Sequence, residues 1–481
     1  MVRKELPDQP LPEYHDRLLM VRLQADLRPV ALTAQNVSNA PSAPTGAGME
    51  PFGAVAATIA PSLSWLVRSG MVRRVVPVPR QPTTGFVTPA AAIAASFVES
   101  PARGQRLVNG TSLVELEKGV DMSTARQRIA DDAQVQFVSR VPMRYITLAK
   151  KRSSAAHPPS APLWNLRKIE WAQARAAAGF RDATSVKVAV LDTGIDRSHP
   201  DLKRRVSAYV YRHADDVTVA GEKDLVGHGT HVAGTIGATI GNRLGIDGIC
   251  SCDLRMWKIF TDQPEYIETD NEFAYIVDPL MYARALADCS DEDVDAVNLS
   301  IGGPAPPDPQ ELQLFNALSA AGTVACAAMG NERAIGSPVS YPAAIQDVVA
   351  VGATSVNDVV ASFSNRGDHI ALCAPGRGIW STLPTYEGQF GFRAVHNRDG
   401  SVKEGKPIRR ERNYDAWDGT SMACPHVTAA VALLLAKKGH SGPQRVKKAL
   451  QKSADKVAGM DRRAFHPDYG AGRLNVRKLL K

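Results

Sequence analysis

The sequence predicts an α/β fold: a three-layer domain on a parallel sheet, preceded by a smaller α+β unit. Three observations point there. After residue 163, short apolar runs rich in β-branched residues, such as 186–192 (VKVAVLD) and 347–354 (DVVAVGAT), alternate with helical stretches such as 281–288 (MYARALAD) and 428–438 (TAAVALLLAKK). Strands alternating with helices form parallel sheets covered on both faces. Before residue 149 the regular elements follow a different order, β-α-β-β-α-β. Between the two, residues 149–162 (AKKRSSAAHPPSAP) join a basic cluster to small residues and three prolines, the composition of an exposed linker.

The small unit reads as follows. Residues 18–24 (LLMVRLQ) alternate as a strand; 62–70 (SLSWLVRSG) form a short helix ending at Gly70; 71–79 (MVRRVVPVP) are a strand. Residues 111–119 (TSLVELEKG) form the next strand, 121–132 (DMSTARQRIADD) a helix capped by Asp121 or Ser123, and 135–145 (VQFVSRVPMRY) the last strand. This order is that of a ferredoxin-like split βαβ unit. Residues 31–61 and 80–105, rich in Ala and Pro, read as loop-like insertions. The expected divisions are 1–148 for the first unit (core from about residue 15), 149–162 for the linker and 163–481 for the large domain.

Charge and cysteines exclude several classes. The 481 residues carry 57 Lys+Arg against 49 Asp+Glu, a net +8. Residues 1–160 hold 19 and 12 of these, whereas the remainder is nearly balanced at 38 and 37. A nucleic-acid binder would spread basic charge over its main domain, so none is expected as a partner. All six cysteines fall after residue 249, and Cys250-Ser-Cys252 lacks a second pair at zinc-site spacing, so they read as buried thiols. The start, MVRKELPDQPLPEYHDRLLMVRLQ, lacks the apolar core of an export signal, and 54–67 and 90–98 fall short of the ~20 residues of a membrane span. The expectation is a soluble chain, cytoplasmic in preference to unconventional secretion.

Four short motifs carry chemistry. The strand 186–192 ends in Asp192-Thr193-Gly194, and active groups gather at the carboxyl ends of strands in such sheets. No second Asp-Thr-Gly or Asp-Ser-Gly exists for a carboxylate dyad; a turn-capping Asp is the alternative. His228 sits between glycines in GHGTHVAGTIGA (227–238), and without a His-Glu-x-x-His pattern His228 and His231 are a poor metal pair. Ser421, in YDAWDGTSMACPHVTAAVALLLA (414–436), opens a helix that continues past Pro425, a residue expected only in a first turn. A Ser there is either a cap or a nucleophile beside the helix's free N–H groups. Asn331 closes the strand VACAAMGNE (324–332) as a turn residue or an amide donor.

Together these motifs resemble the subtilisin-like serine endopeptidases (subtilases). The strings VAVLDTGIDRSHPDL, GHGTHVAGTIG, NLSIGG, AAMGNE and DGTSMACPHVTAAVALLL occur in that family's order, and the similarity covers about residues 160–481. WNLRKIEWAQA (164–174) looks like the start of a mature subtilase domain. The resemblance implies a subtilisin-like domain after a ferredoxin-like prodomain that aids folding and inhibits the enzyme. It implies Ser421 as nucleophile, His228 as general base, Asp192 as its orienting partner, and Asn331 with the Ser421 N–H as the oxyanion hole. Ser300, Ile301 and Gly302 match the segment that pairs with an extended substrate, and Ser340 stands where the family often has Gly at the floor of the primary specificity pocket. Protein or peptide substrates and the chain's own prodomain are the implied partners. The implied processing falls between about residues 145 and 162. No cofactor is implied for the chemistry; a structural calcium ion is implied in some members at positions matching Asp201 and Asn242, and no further metal ligands are assigned.

Three features depart from the family. The prosegment is long and carries the two insertions. Residues 385–413, with Arg409, Arg410 and Arg412, look like an extra solvated hairpin or a substrate-contacting rim, and the acidic stretch 262–272 replaces a region that often builds outer subsites. Two rival functions are a non-catalytic binding module, opposed by the full set of catalytic-type residues, and a nucleic-acid or anionic-surface binder acting through the basic residues 1–160.

Overall fold

The computed structural model describes residues 12–24, 69–78, 107–108, 110–146, 163–211 and 221–481. The insertions at 31–61 and 80–105, the linker 149–162 and most of the 62–70 helix lie outside them. The small unit contains β1 (Tyr14–Leu23), β2 (Val72–Pro77), β3 (Thr111–Leu116), α1 (Met122–Ala130) and β4 (Val135–Pro142), and the strands form one antiparallel sheet in the order β2-β3-β1-β4. That is the strand order of a ferredoxin-like unit. Asp121, not Ser123, caps α1, accepting the Thr124 N–H at 2.8 Å. Strand side chains alternate faces: Leu19, Val21 and Val114 pack with Ala125 and Ile129 of α1, while Met20, Leu113 and Val141 join the core of the large domain. β1 starts at Tyr14, earlier than expected, because pairing with β4 extends it through polar residues.

A short strand β5 (Tyr145–Ile146) ends this unit. The large domain follows with β6 (Lys187–Asp192), β7 (Val206–Val210), α2 (His228–Gly237), β8 (Asp253–Lys258), β9 (Glu265–Ile267), β10 (Glu272–Ala274), α3 (Pro279–Asp291), β11 (Ala296–Leu299), β12 (Ile301–Gly302), α4 (Pro309–Ala321) and β13 (Val324–Ala328). Then come β14 (Val349–Thr354), β15 (Leu372–Pro375), β16 (Ile379–Thr382), β17 (Gln389–His396), β18 (Val402–Arg409), β19 (Tyr414–Trp417) and α5 (Thr420–Lys438). Seven strands form a parallel sheet in the order β15-β14-β13-β11-β6-β8-β7. Both of its faces are covered, as the apolar strand sequences require. Val188 and Val190 face Val232 and Ile236 of α2 and Val427 and Val431 of α5. Ala189 and Leu191 face Leu286 of α3 and Leu314 of α4. α5 is the one described helix long and apolar enough to cross a membrane, yet 89% of its apolar window is buried within the fold.

The two departures in the large domain turn out to be one feature. β9 and β10 from the acidic stretch pair with the extra hairpin β17–β18 in a four-stranded sheet, order β18-β17-β10-β9. Arg409 is exposed on Glu387, whereas Arg410 is buried and donates to the carbonyls of Leu225 and Asp224 just before α2. The hairpin is therefore anchored beside the catalytic-type histidine rather than freely solvated. All six cysteines are buried and unpaired.

Candidate active site

Asp192 ends β6 and is fully buried. Its Oδ1 accepts the Thr193 N–H and the Nδ1–H of His228, both at 2.7 Å. A carboxylate only accepts, so the bond assigns the His228 proton to Nδ1 and leaves Nε2 as the lone-pair nitrogen. Nε2 is buried and makes no hydrogen bond to any described residue. Gly229 is required beside it, since a Cβ there would meet the Gly194 carbonyl oxygen at 2.1 Å.

Motif reading missed the residue that holds this arrangement. Asp224, buried, accepts the Gly227 N–H (2.8 Å), the Thr193 hydroxyl (2.8 Å), and the Thr230 N–H and hydroxyl (3.0 and 2.7 Å). It thereby satisfies the first turn of α2, whose N-cap Gly227 has no side chain, and ties that turn to the residue after Asp192. The legible signal was an Asp three residues ahead of Gly227.

His231 is a framing residue. Its Nε2–H donates to the carbonyls of Ile379 (3.0 Å) and Asp415 (3.2 Å), and its ring stacks on Trp417 at 4.8 Å between centroids. Burial, with His228 nearby, pushes its pKa down to about 3, so it stays neutral. His426 is likewise structural: Nδ1–H donates to Met422 O, Nε2 accepts from Asn165, and burial lowers its pKa to about 4.

Ser421 lies in the first turn of α5, which packs against α2. Its Oγ donates to the Ser300 carbonyl and the Ser300 Oγ donates to the Ser421 carbonyl, both at 2.9 Å. The second bond corrects the expectation for Pro425, which sits in the second turn of α5. Proline has no N–H for the carbonyl four residues back, that of Ser421, and Ser300 supplies the missing donor. Asn331 leaves β13 through Gly330, a left-handed residue at φ +96° where a Cβ would meet Asn365 Nδ2 at 2.4 Å. Both the N–H and hydroxyl of Thr420 donate to Asn331 Oδ1 at 3.0 Å. That fixes the amide so that its NH₂ points away from Thr420; Nδ2 is buried without a partner among the described residues.

Ile301 and Gly302 form β12, which pairs antiparallel with β5, Ile301 opposite Ile146 and Gly302 opposite Tyr145. On the other side of this strand the Val277 N–H donates to the Arg144 carbonyl at 3.1 Å. The end of the small unit thus lies as an added strand between two segments of the large domain. Ser340, buried, lines a cavity of about 90 Å³ with Gly302, Gly303, Glu332 and Tyr145. Burial raises the Glu332 carboxyl above its usual range.

Asp201 and Asn242 also meet, but as a closed hydrogen-bonded pair. Asp201 Oδ1 accepts the Asn242 amide (2.7 Å), Oδ2 accepts the Ile246 N–H and the Tyr414 hydroxyl (3.0 Å each), and Asn242 Oδ1 accepts the Leu244 N–H (2.9 Å). With these oxygens already used by protein donors, the residues present do not fit a calcium ion there.

The similarities follow these motifs. The profile of the Subtilase family matches residues 183–472. Subtilisin E of Bacillus subtilis (strain 168) is 33% identical over 298 residues, 61% of this chain, and the match spans 65% of its own length. The major intracellular serine protease of the same organism is 35% identical over 259 residues, 52% of this chain and 68% of that protein. The crystal structure of fervidolysin from Fervidobacterium pennivorans, described as a keratinolytic enzyme related to subtilisin, superposes with a TM-score of 0.60 at 21% identity, covering 98% of this chain and 62% of that one. The family profile takes in all four catalytic-type residues and well over half of the sequence, and on that footing the chain belongs to the subtilase family of subtilisin-like serine proteases.

Proposed function

We propose that the chain is a serine endopeptidase synthesised as a self-processing zymogen. The observation that carries this reading is the buried Asp192–His228 pair with an unpartnered Nε2, set beside the α5 turn that holds Ser421. Ser421 Oγ gives its proton to His228 Nε2 and attacks the scissile carbonyl carbon. The C–N bond breaks as the imidazolium protonates the leaving amine, and water, deprotonated by the same nitrogen, then releases the acyl group as a carboxylic acid. The Asn331 NH₂ and the Ser421 N–H, a first-turn donor with no intrahelical acceptor, stabilise the oxyanion. Replacing Asn331 with Leu lowers kcat by about 10²–10³ with KM nearly unchanged in peptide hydrolysis, a scale borrowed from subtilisin itself. An unchanged kcat removes Asn331 from the oxyanion hole.

Protein or peptide substrates add as a strand along β12, with Ser300, Ile301 and Gly302 as the edge and Ser340 at the floor of the neighbouring pocket. Residues 1–148 act as prosegment and inhibitor, 149–162 as the processing linker and 163–481 as the enzyme; the support is β5 lying along β12. Residues 147–162, where most of the processing interval falls, lie outside the described ones. Intact mass and peptide mapping of the purified full chain after treatment with a fluorophosphonate test the reading. Expected are two fragments separated between residues 145 and 162 and one adduct on Ser421; a folded, unprocessed chain that takes no label overturns it.

A further inference from the structure

We infer that the substrate groove contains a buried acidic subsite, centred on Glu311, that selects an arginine three residues ahead of the residue supplying the scissile carbonyl. This rests on the proposed protease reading and adds to it a class of substrate. Its basis is Arg144, the residue just before β5. Only 2% exposed, Arg144 donates Nε–H to Glu311 Oε1 (3.2 Å) and Nη2–H to Glu311 Oε2 (2.7 Å), a two-pronged carboxylate contact. Its Nη1–H groups reach the carbonyls of Ala305 (3.0 Å) and Met143 (3.1 Å).

Every one of these acceptors except Met143 belongs to the large domain, so the cradle remains when the prosegment leaves. Glu311 is held independently of the arginine. Its N–H is capped by Asp308 (2.9 Å) in the first turn of α4, and the Tyr282 hydroxyl of α3 donates to Oε1 (3.2 Å). Asp308 itself is buried close by, adding a second carboxylate to the same pocket. A glutamate in a first helical turn is often no more than a favourable charge at the helix dipole. Here the carboxylate is buried and aimed at a guanidinium contributed by the strand that lies in the groove.

The register sets the distance to the chemistry. Tyr145 lies opposite Gly302 and Ile146 opposite Ile301. In an antiparallel ladder the next residue of any strand so placed comes opposite Ser300, whose carbonyl oxygen is 2.9 Å from Ser421 Oγ. That residue is three after the arginine. A buried ion pair adds little to stability compared with apolar packing, whereas an unpaired buried carboxylate is costly, so the pocket discriminates strongly between cationic and neutral side chains.

The test uses internally quenched peptides with the sequence of residues 141–150 (VPMRYITLAK), in which the arginine is kept or replaced by citrulline, norleucine or glutamate. They are presented to the full chain after it has processed itself. Expected is a kcat/KM for the arginine peptide about 10–100-fold above that for citrulline, the span of a charge-assisted hydrogen bond, with glutamate lower still. Glu311→Gln is expected to bring the arginine and citrulline peptides together while norleucine cleavage persists. If that variant fails to fold, the four peptides with the unaltered chain still decide the matter. Equal cleavage of the arginine and citrulline peptides overturns the subsite and leaves the protease reading standing. Failure to cleave any of the four, with no fluorophosphonate adduct on Ser421, overturns both.

Discussion

Ser421→Ala is expected to remain one 481-residue chain, to take no fluorophosphonate label and to lose about 10⁶-fold in kcat, the scale measured for subtilisin's own nucleophile. The fold should survive. Alanine is the best helix former, and the bond that the hydroxyl donates to the Ser300 carbonyl is a modest contact. Losing that donor in a buried setting costs about 1 kcal/mol, a fall of a few degrees or less in Tm for a chain of this size. The measurement is intact mass over time together with thermal unfolding. In the uncut variant β5 stays covalently attached along β12, so the purified protein should run as a stable, inactive zymogen. Appearance of the same two fragments at the wild-type rate from pure variant would sink self-processing, because no nucleophile would remain at the helix end.

Much of this architecture was legible because it is local in sequence. VKVAVLD reads as a buried strand, and the Asp at its end must emerge at the sheet's carboxyl edge, where Asp192 meets His228. Asp121 as a helix cap is a three-residue pattern. What escaped is long-range. Arg144 and Glu311 are 167 positions apart, and each alone reads as an ordinary surface charge. The stretch containing β9 and β10 and the hairpin β17–β18 looked like two unrelated insertions, because strand pairing between distant segments leaves no mark in either. β1 begins among polar residues because its ladder with β4, not its hydrophobicity, sets its end. Pro425 looked as though it must occupy a first turn; the donor that lets it sit one turn later is the hydroxyl of Ser300, more than a hundred residues away.

Asp192→Asn is expected to lower kcat by up to about 10⁴ with the fold intact, through loss of the negative charge that stabilises the His228 cation rather than through lost contacts. Asp192 Oδ1 now receives two donors, the Thr193 N–H and His228 Nδ1–H. Asparagine offers one carbonyl oxygen and one NH₂. With the carbonyl oxygen in the Oδ1 place it still accepts both donors, and the NH₂ takes the place of Oδ2, which has no partner among the described residues. The imidazolium formed when Nε2 takes the Ser421 proton then faces a neutral amide oxygen instead of a carboxylate, and its stabilisation is lost. The α2 turn stays in place because Asp224, not Asp192, satisfies its N–H groups. Fluorophosphonate labelling should slow in proportion to peptide hydrolysis, since both need Ser421 deprotonated. The arginine-to-citrulline ratio should not move, because Glu311 is held by Asp308 and Tyr282 and shares no hydrogen bond with Asp192 or His228. A rate within tenfold of wild type would remove the charge-stabilising role assigned to Asp192. A changed ratio would instead show that the subsite and the catalytic pair are coupled.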